Sequence, residues 1–269
     1  MAGESGVTPA GTRTLAGDVR GAGPDLVLLH PVGLDHTFMG PYLAQASRRH
    51  RVVALDLRGH GNSPPATRDV TLDDYIADIH LAMETHCRGP AIVLGLSFGG
   101  MLAQLMALAH PERVSGLVLC GCTGGVAPEA RPILRERGLA AERDGMPSVV
   151  DATIERWFTP LFRSSEAAER VRTRLLANDV TSWSTAWHAI ATFDALPRLS
   201  MLQVPTFVVA GARDAATPIA AATTLANSIP DARLTVLPDA PHMMQIESRD
   251  AFNAAVGLFL GRKAITGAT

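Results

Sequence analysis

The stretch "LGLSFGGMLAQ" (residues 94–104) decides how the chain is read. Its central serine, Ser97, is either a nucleophile held on a strained turn or one more serine in a glycine-rich loop. Gly-x-Ser-x-Gly arises by chance in many proteins, so the flanks carry the decision: nucleophile chemistry needs a strand before it, a helix after it and two partners further along. "AIVLGL" (91–96) is a short continuous apolar run, as expected of a strand buried on both faces. "FGGMLAQLMALAHP" (98–111) has helical length and is closed by Pro111. Ser97 falls at the junction, where Gly95 and Gly99 let the chain turn sharply. A helix beginning at Phe98 would aim its positive end at developing negative charge.

The same alternation extends outward. "DLVLLH" (25–30), "RVVALDL" (51–57), "VSGLVLCG" (114–121), "VPTFVVAGA" (204–212) and "ARLTVLP" (232–238) read as further strands. Helices are expected over 71–86, near 218–229 and near 248–261; Thr71 is a candidate N-cap, with Asp73 and Asp74 in the first turn. Strands alternating with helices imply a mostly parallel, twisted α/β sheet flanked by helices. After Gly125 the alternation stops and helical patterns run to about 196. All three tryptophans, Trp157, Trp183 and Trp187, fall there with Phe158, Phe162 and Phe193. The expected organisation is a core over 11–125, a helical cap insertion over 126–196, and the rest of the core over 197–262. The first ten residues are small and polar and are expected to be loose.

Bulk properties exclude several classes. The 269 residues are 47% hydrophobic and 19% charged, enough to bury a large core. Net charge is −2 with no basic block, so no nucleic-acid partner is expected. No run is long and apolar enough to span a membrane, and the N-terminus lacks the pattern of a signal peptide. Cys87, Cys120 and Cys122 are an odd count with two in an apolar run, which reads as free thiols in a reducing compartment, the cytoplasm by default. Cys-x-Cys without a second pair gives no metal site, and no cofactor is implied.

A serine hydroxyl is a weak nucleophile and needs a base, itself oriented by a carboxylate, following in the order serine, acid, histidine. His242, in "LPDAPHMMQIE" after the last expected strand, is the candidate base; His110 lies at the far end of the helix after Ser97. Asp214, in "VVAGARDAATP", ends the preceding strand and is the candidate acid; Asp239, three residues before His242, is the rival. Two amides must stabilise the oxyanion: Phe98, after the nucleophile, and Val32, in "PVGLDH" after the first apolar strand, with Gly33 giving backbone freedom. Gly33, Trp157, Phe158, Trp187 and Met243 are candidate substrate contacts. Trp183 and Trp187, four apart, share a helix face and are expected to anchor the insertion. Arg131, Arg135 and Arg137 read as a solvated helix face rather than a greeting for an anion. Asp56 and Arg58 read as stabilising their own turn.

With "DLRGHGNS" (56–63), "GLSFGG", "HPERVSGLVL", "AGARDAATP" and "LPDAPHMMQIE" in order, the sequence resembles the α/β-hydrolase superfamily along nearly its whole length. Within it, "ERWFTPLF" (155–162) and "IESRDAFNAAVGLFL" (246–260) are most similar to the 3-oxoadipate enol-lactone hydrolases. The resemblance implies a serine hydrolase of a small carboxylic ester or lactone, with a cap that selects the acid portion. The chain departs from relatives at Pro31, where many carry glycine, and at Met39, where the lactonases carry Trp. Met243 after the histidine speaks against the C–C hydrolase branch, and serine at the elbow against the dehalogenases and epoxide hydrolases. Acyl transfer or perhydrolysis by the same triad, cofactor-free oxygenation, and a ligand-binding receptor on this fold are the alternatives. Oligomeric state is not legible.

Overall fold

The computed structural model describes residues 14–266. The expected loose N-terminus, and residues 11–13 of the expected core, lie outside them. Seven strands form one sheet: β1 (Gly17–Arg20), β2 (Asp25–Leu29), β3 (Arg51–Leu55), β4 (Ala91–Leu96), β5 (Val114–Cys120), β6 (Thr206–Gly211) and β7 (Arg233–Leu237), in the order β1-β3-β2-β4-β5-β6-β7. Only β1 pairs antiparallel, with β3; every other pairing is parallel. β2, β4 and β6 are buried at every position, as continuous apolar runs between helical layers must be.

Helices α1 (Gly40–Ala46), α2 (Leu72–His86) and α3 (Phe98–Ala109) follow β2, β3 and β4. Between β5 and β6 come α4 (Arg131–Asp144), α5 (Pro147–Trp157), α6 (Glu166–Leu176) and α7 (Val180–Thr192). α8 (Ile219–Ser228), the short α9 (Met244–Glu247) and α10 (Arg249–Thr266) complete the chain. Thr71 and Asp74 form a reciprocal capping box at the start of α2. Tyr75 of α2 meets Phe98 of α3 edge-on at 5.1 Å; Tyr42 of α1 meets Phe252 of α10 at 5.6 Å.

The α4–α7 segment leaves and rejoins the sheet through a short antiparallel stem. Val126 N–H donates to Phe193 O (2.8 Å) and Ala195 N–H to Gly124 O (2.8 Å), around a bridge between Gly125 and Asp194. The chain winds from β2 outward to β3, then crosses to β4 on β2's other side. The strand order therefore reverses between β2 and β4, and a crevice opens beyond their carboxyl ends, where ligands bind in sheets of this kind. Ser97 directly follows β4, and Val32 lies three residues beyond β2.

Candidate active site

Ser97 stands at φ 53°, ψ −115°, a backbone region that residues with side chains rarely enter. Holding it there costs about 1–3 kcal/mol, so the surroundings must fix it. Ser97 N–H donates to Cys120 O (2.8 Å) at the end of β5, and Ser97 O accepts from Met101 N–H (3.0 Å) in α3. A Cβ at Gly99 would stand 2.2 Å from Leu29 O, so glycine lets α3 press against the end of β2. The Ser97 side chain is half-buried, and its hydroxyl has no hydrogen-bond partner among the described residues.

Asp214 lies three residues beyond β6 and is buried. Its Oδ1 accepts from Ala216 N–H (2.8 Å) and Thr217 N–H (2.7 Å), and its Oδ2 lies 2.8 Å from His242 Nδ1. A carboxylate can only accept, so Nδ1 carries the imidazole proton and Nε2 keeps its lone pair. The Thr217 hydroxyl donates to Gly121 O (3.1 Å), tying this loop to the end of β5. The rival Asp239 is exposed and faces Arg213 at 3.7 Å. His110 stacks on His80 at 3.8 Å, at the other end of α3.

The loop after β2 is held from below and above. His30 Nδ1 lies 2.7 Å from Pro31 O, and Leu57 N–H donates to His30 Nε2 (2.9 Å). A carbonyl only accepts and an amide only donates, so His30 is neutral with its proton on Nδ1. Burial pushes its pKa down to about 4 in accord with this. From above, Asn178 Nδ2 donates to Gly33 O (2.9 Å) and Arg174 Nε pairs with Asp35 at 2.7 Å. Gly33 has φ +77°, and a Cβ there would meet the Trp183 ring at 2.6 Å and Leu175 at 2.8 Å. Val32 and Phe98 are both buried, and neither backbone N–H finds an acceptor among the described residues. Backbone N–H groups of buried residues are seldom left without an acceptor.

Ser97, His242 and Val32 open onto one cavity of about 480 Å³. Trp157 and Trp187 line it, as do Ile133, Leu134 and Arg137 of α4. Gly33, Phe158 and Met243 do not: Gly33 is covered by Trp183, Phe158 stacks on Phe162 at 5.3 Å, and Met243 is fully buried behind the histidine. The two tryptophans of α7 divide their work. Trp183 packs on the loop and donates its indole N–H to Arg137 O (3.1 Å), while Trp187 faces the cavity. The three arginines also part company. Arg135 is exposed, Arg131 is half-buried, and Arg137 lies over the Trp187 ring at 4.7 Å on the cavity wall. That corrects the expectation of a solvated face: α4 is roofed by α7 on the side where Arg137 projects.

Asp56 and Arg58 reach beyond their turn. Asp56 accepts from the amides of His36 (2.8 Å) and Asn62 (2.9 Å), and Arg58 grips Asp78 of α2 through Nε and Nη2 (2.6 and 2.7 Å). Among the described residues two groups bring three metal-ligand atoms within 4.8 Å, Asp35–His36–Asp56 and His80–His110–Glu112; neither borders the cavity. Among the described residues no helix is long and apolar enough to cross a membrane.

Residues 26–248 match the model of the alpha/beta hydrolase fold family. The chain is 28% identical over 242 residues to 3-oxoadipate enol-lactonase 2 of Acinetobacter baylyi, covering 89% of each. It is 32% identical over 252 residues to a pimeloyl-[acyl-carrier protein] methyl ester esterase of Chromobacterium violaceum, covering 91% of this chain and 97% of that one. The solved enol-lactonase from Burkholderia xenovorans superposes with a TM-score of 0.87 at 30% identity, over 92% of this chain and 96% of that one. The parallel sheet, the strand order and these likenesses together make the chain a member of the α/β hydrolase fold family, and an enzyme of the hydrolase kind.

Proposed function

We propose that the chain hydrolyses a small carboxylic ester or lactone through an acyl-enzyme on Ser97. The observation that carries the reading is the buried Asp214–His242 pair, 2.8 Å apart, opening onto the cavity that Ser97 shares. Ser97 Oγ attacks the carbonyl carbon while His242 Nε2 takes its proton; Asp214 holds the ring and stabilises the imidazolium. The carbonyl oxygen gains charge as the C–O π bond opens, and the Val32 and Phe98 N–H groups receive it. Removing one such donor commonly costs about 3 kcal/mol of transition-state stabilisation. The intermediate then collapses: the carbonyl re-forms, the acyl–oxygen bond breaks, and His242 protonates the leaving oxygen. In a lactone that alcohol stays tethered to the acyl group. Water, deprotonated by His242, attacks the acyl-enzyme and releases the acid and the serine.

The 126–196 segment acts as the cap in this reading, because α4, α5 and α7 supply Arg137, Trp157 and Trp187 to the cavity wall. The names of the relatives, an enol-lactonase and a methyl ester esterase, support ester and lactone substrates. The three cysteines are free thiols, which supports a reducing compartment such as the cytoplasm. The test is turnover of enol-lactones beside short p-nitrophenyl esters by wild type and Ser97→Ala. Loss of all turnover in the variant is the expected result; undiminished turnover would remove Ser97 from the mechanism.

A further inference from the structure

At the end of α3 remote from Ser97, two histidine–glutamate pairs meet. His80 and Glu84 stand one turn apart on the same face of α2, with His80 Nε2 3.8 Å from Glu84 Oε1. His110 caps the end of α3 and Glu112 lies in the short turn Pro111–Arg113, with His110 Nδ1 3.7 Å from Glu112 Oε1. The two imidazoles stack face to face, their centroids 3.8 Å apart and their planes 6° from parallel. The backbone holds the pairs in place. His110 N–H donates to Met106 O (2.8 Å), Arg113 N–H donates to His110 O (3.0 Å), and Arg113 Nη2 donates to Met83 O (3.0 Å), which fastens this turn to α2 beside Glu84. The side chains themselves are not engaged. Both histidine–glutamate distances exceed hydrogen-bond length, and no other described residue bonds any of the four side chains.

Ion pairing alone does not account for this arrangement, because two imidazolium rings stacked at 3.8 Å would repel. A divalent cation serves both carboxylates and leaves both rings neutral, the form in which imidazole is a ligand. The negative end of α3 also favours a cation at His110. The group Asp35–His36–Asp56 differs in this respect, since its ligand atoms are already taken. Arg174 pairs with Asp35, while Asp56 accepts from two amides and lies 2.7 Å from His36 Nδ1.

We propose that His80, His110 and Glu112, with Glu84 beside them, form a binding site for a divalent transition-metal ion, zinc above all. Imidazole and carboxylate ligands together suit zinc. At zinc–ligand lengths of about 2.0–2.2 Å, two ligand atoms of a tetrahedron stand about 3.4 Å apart. The pairs at 3.7 and 3.8 Å need only close slightly, and the rings need only tilt so that both lone pairs meet the ion. The imidazoles are 25% and 29% exposed and the carboxylates 54% and 64%, so a hydrated ion enters from solvent and is held against the rings. Helix α3 has 12 residues, which puts the site about 18 Å from Ser97. The ion therefore clamps α2 to the end of α3 and takes no part in the reaction at Ser97.

The test is calorimetric titration of zinc chloride into metal-stripped full-length protein, as wild type, His80→Gln, His110→Gln, Glu112→Gln and His36→Gln. Wild type should bind one zinc per chain. Affinity should fall at least tenfold to hundredfold in His80→Gln and in His110→Gln, since even the partners behind metal ligands are worth that much. Glu112→Gln, a near-isosteric change at an exposed side chain, should lower it severalfold and keeps the test sound if a histidine variant folds poorly. His36→Gln should bind like wild type. Excess zinc should raise the wild-type melting midpoint by about 5 °C and leave that of His80→Gln/His110→Gln unmoved. Absence of zinc binding by wild type would overturn the site. So would unchanged affinity in His80→Gln and His110→Gln, or a loss confined to His36→Gln.

Discussion

The main-chain N–H of Met243 donates to the carbonyl of Trp157 at 3.1 Å, joining the turn that carries His242 to the last residue of α5. The Glu247 carboxylate strengthens the joint by accepting from Thr159 N–H (3.1 Å) and from the Thr159 hydroxyl. Helix α5 and the histidine turn therefore shift together or not at all. Glu247→Ala is expected to lower kcat more than it raises KM, by roughly tenfold, because each hydrogen bond to a charged group contributes about 1.5–3 kcal/mol. A double-mutant cycle with Thr159→Val checks the coupling: the two losses should be strongly non-additive, and additive losses would show that the contact does not position His242.

Asp214→Asn is expected to cost roughly 10⁴ in kcat, since the amide cannot favour the Nδ1–H tautomer as the carboxylate does. It should also destabilise the fold. Asp214 Oδ1 accepts two backbone amides, so an asparagine that turns its oxygen to them points its NH₂ at His242 Nδ1. Kinetics together with a thermal melt resolve the two effects; a variant that melts like wild type would contradict the second.

Acid should weaken the protein well above the carboxylate range. Burial holds His30 at about 4 and His60 at about 3, against an ordinary 6.5. The unfolded chain therefore binds protons that the folded one refuses. Stability is complete above pH 6.5 and is lost as pH falls toward those values, by up to about 1.4 kcal/mol per pH unit for each group. His36 works in the opposite sense: its hydrogen bond to Asp56 raises its pKa, so its contribution is present below 6.5 and lost as pH climbs past the raised value. Urea midpoints at pH 7.5 and pH 5 test the trend, and His30→Gln should flatten the acid slope.

Gly33→Ala combines a left-handed backbone with a methyl driven into Trp183 and Leu175. A destabilisation of about 2 kcal/mol or more is expected. Turnover should fall further than stability alone explains, because the Val32 amide rides on the same turn. Measuring kcat at a temperature where the variant is fully folded separates the two.

Six of the strands were legible from sequence to within a few residues: five are buried almost throughout and leave near-continuous apolar runs, and the half-buried edge strand β7 keeps enough apolar and β-branched residues to read as a strand. β1 was not: "GDVR" is an edge strand paired on one side, with its side chains mostly in water, and it carries no such signal. α1, seven residues without a charged face, escaped for a similar reason. The positions of Ser97, Asp214 and His242 were legible because each ends or follows a strand, where topology fixes where the next residues stand; their catalytic roles belong to the proposed function. Arg137 was misread because periodicity gives the faces of α4 but not which face α7 covers. Thr217, whose amide donates to Asp214 and whose hydroxyl ties the loop to Gly121 O, had no sequence signal beyond its distance from that aspartate.

The contacts of Asn178 with Gly33 and of Arg174 with Asp35 make the helical segment a structural support of the loop that holds the Val32 amide. Exchanging α4–α7 for those of a relative would therefore replace a buttress as well as a cavity wall. Chimeras built this way should change selectivity and intrinsic rate together, and recovering the rate would require reshaping residues 32–36 to fit the new helices. In this scaffold, substrate range and catalytic power are inherited as one trait.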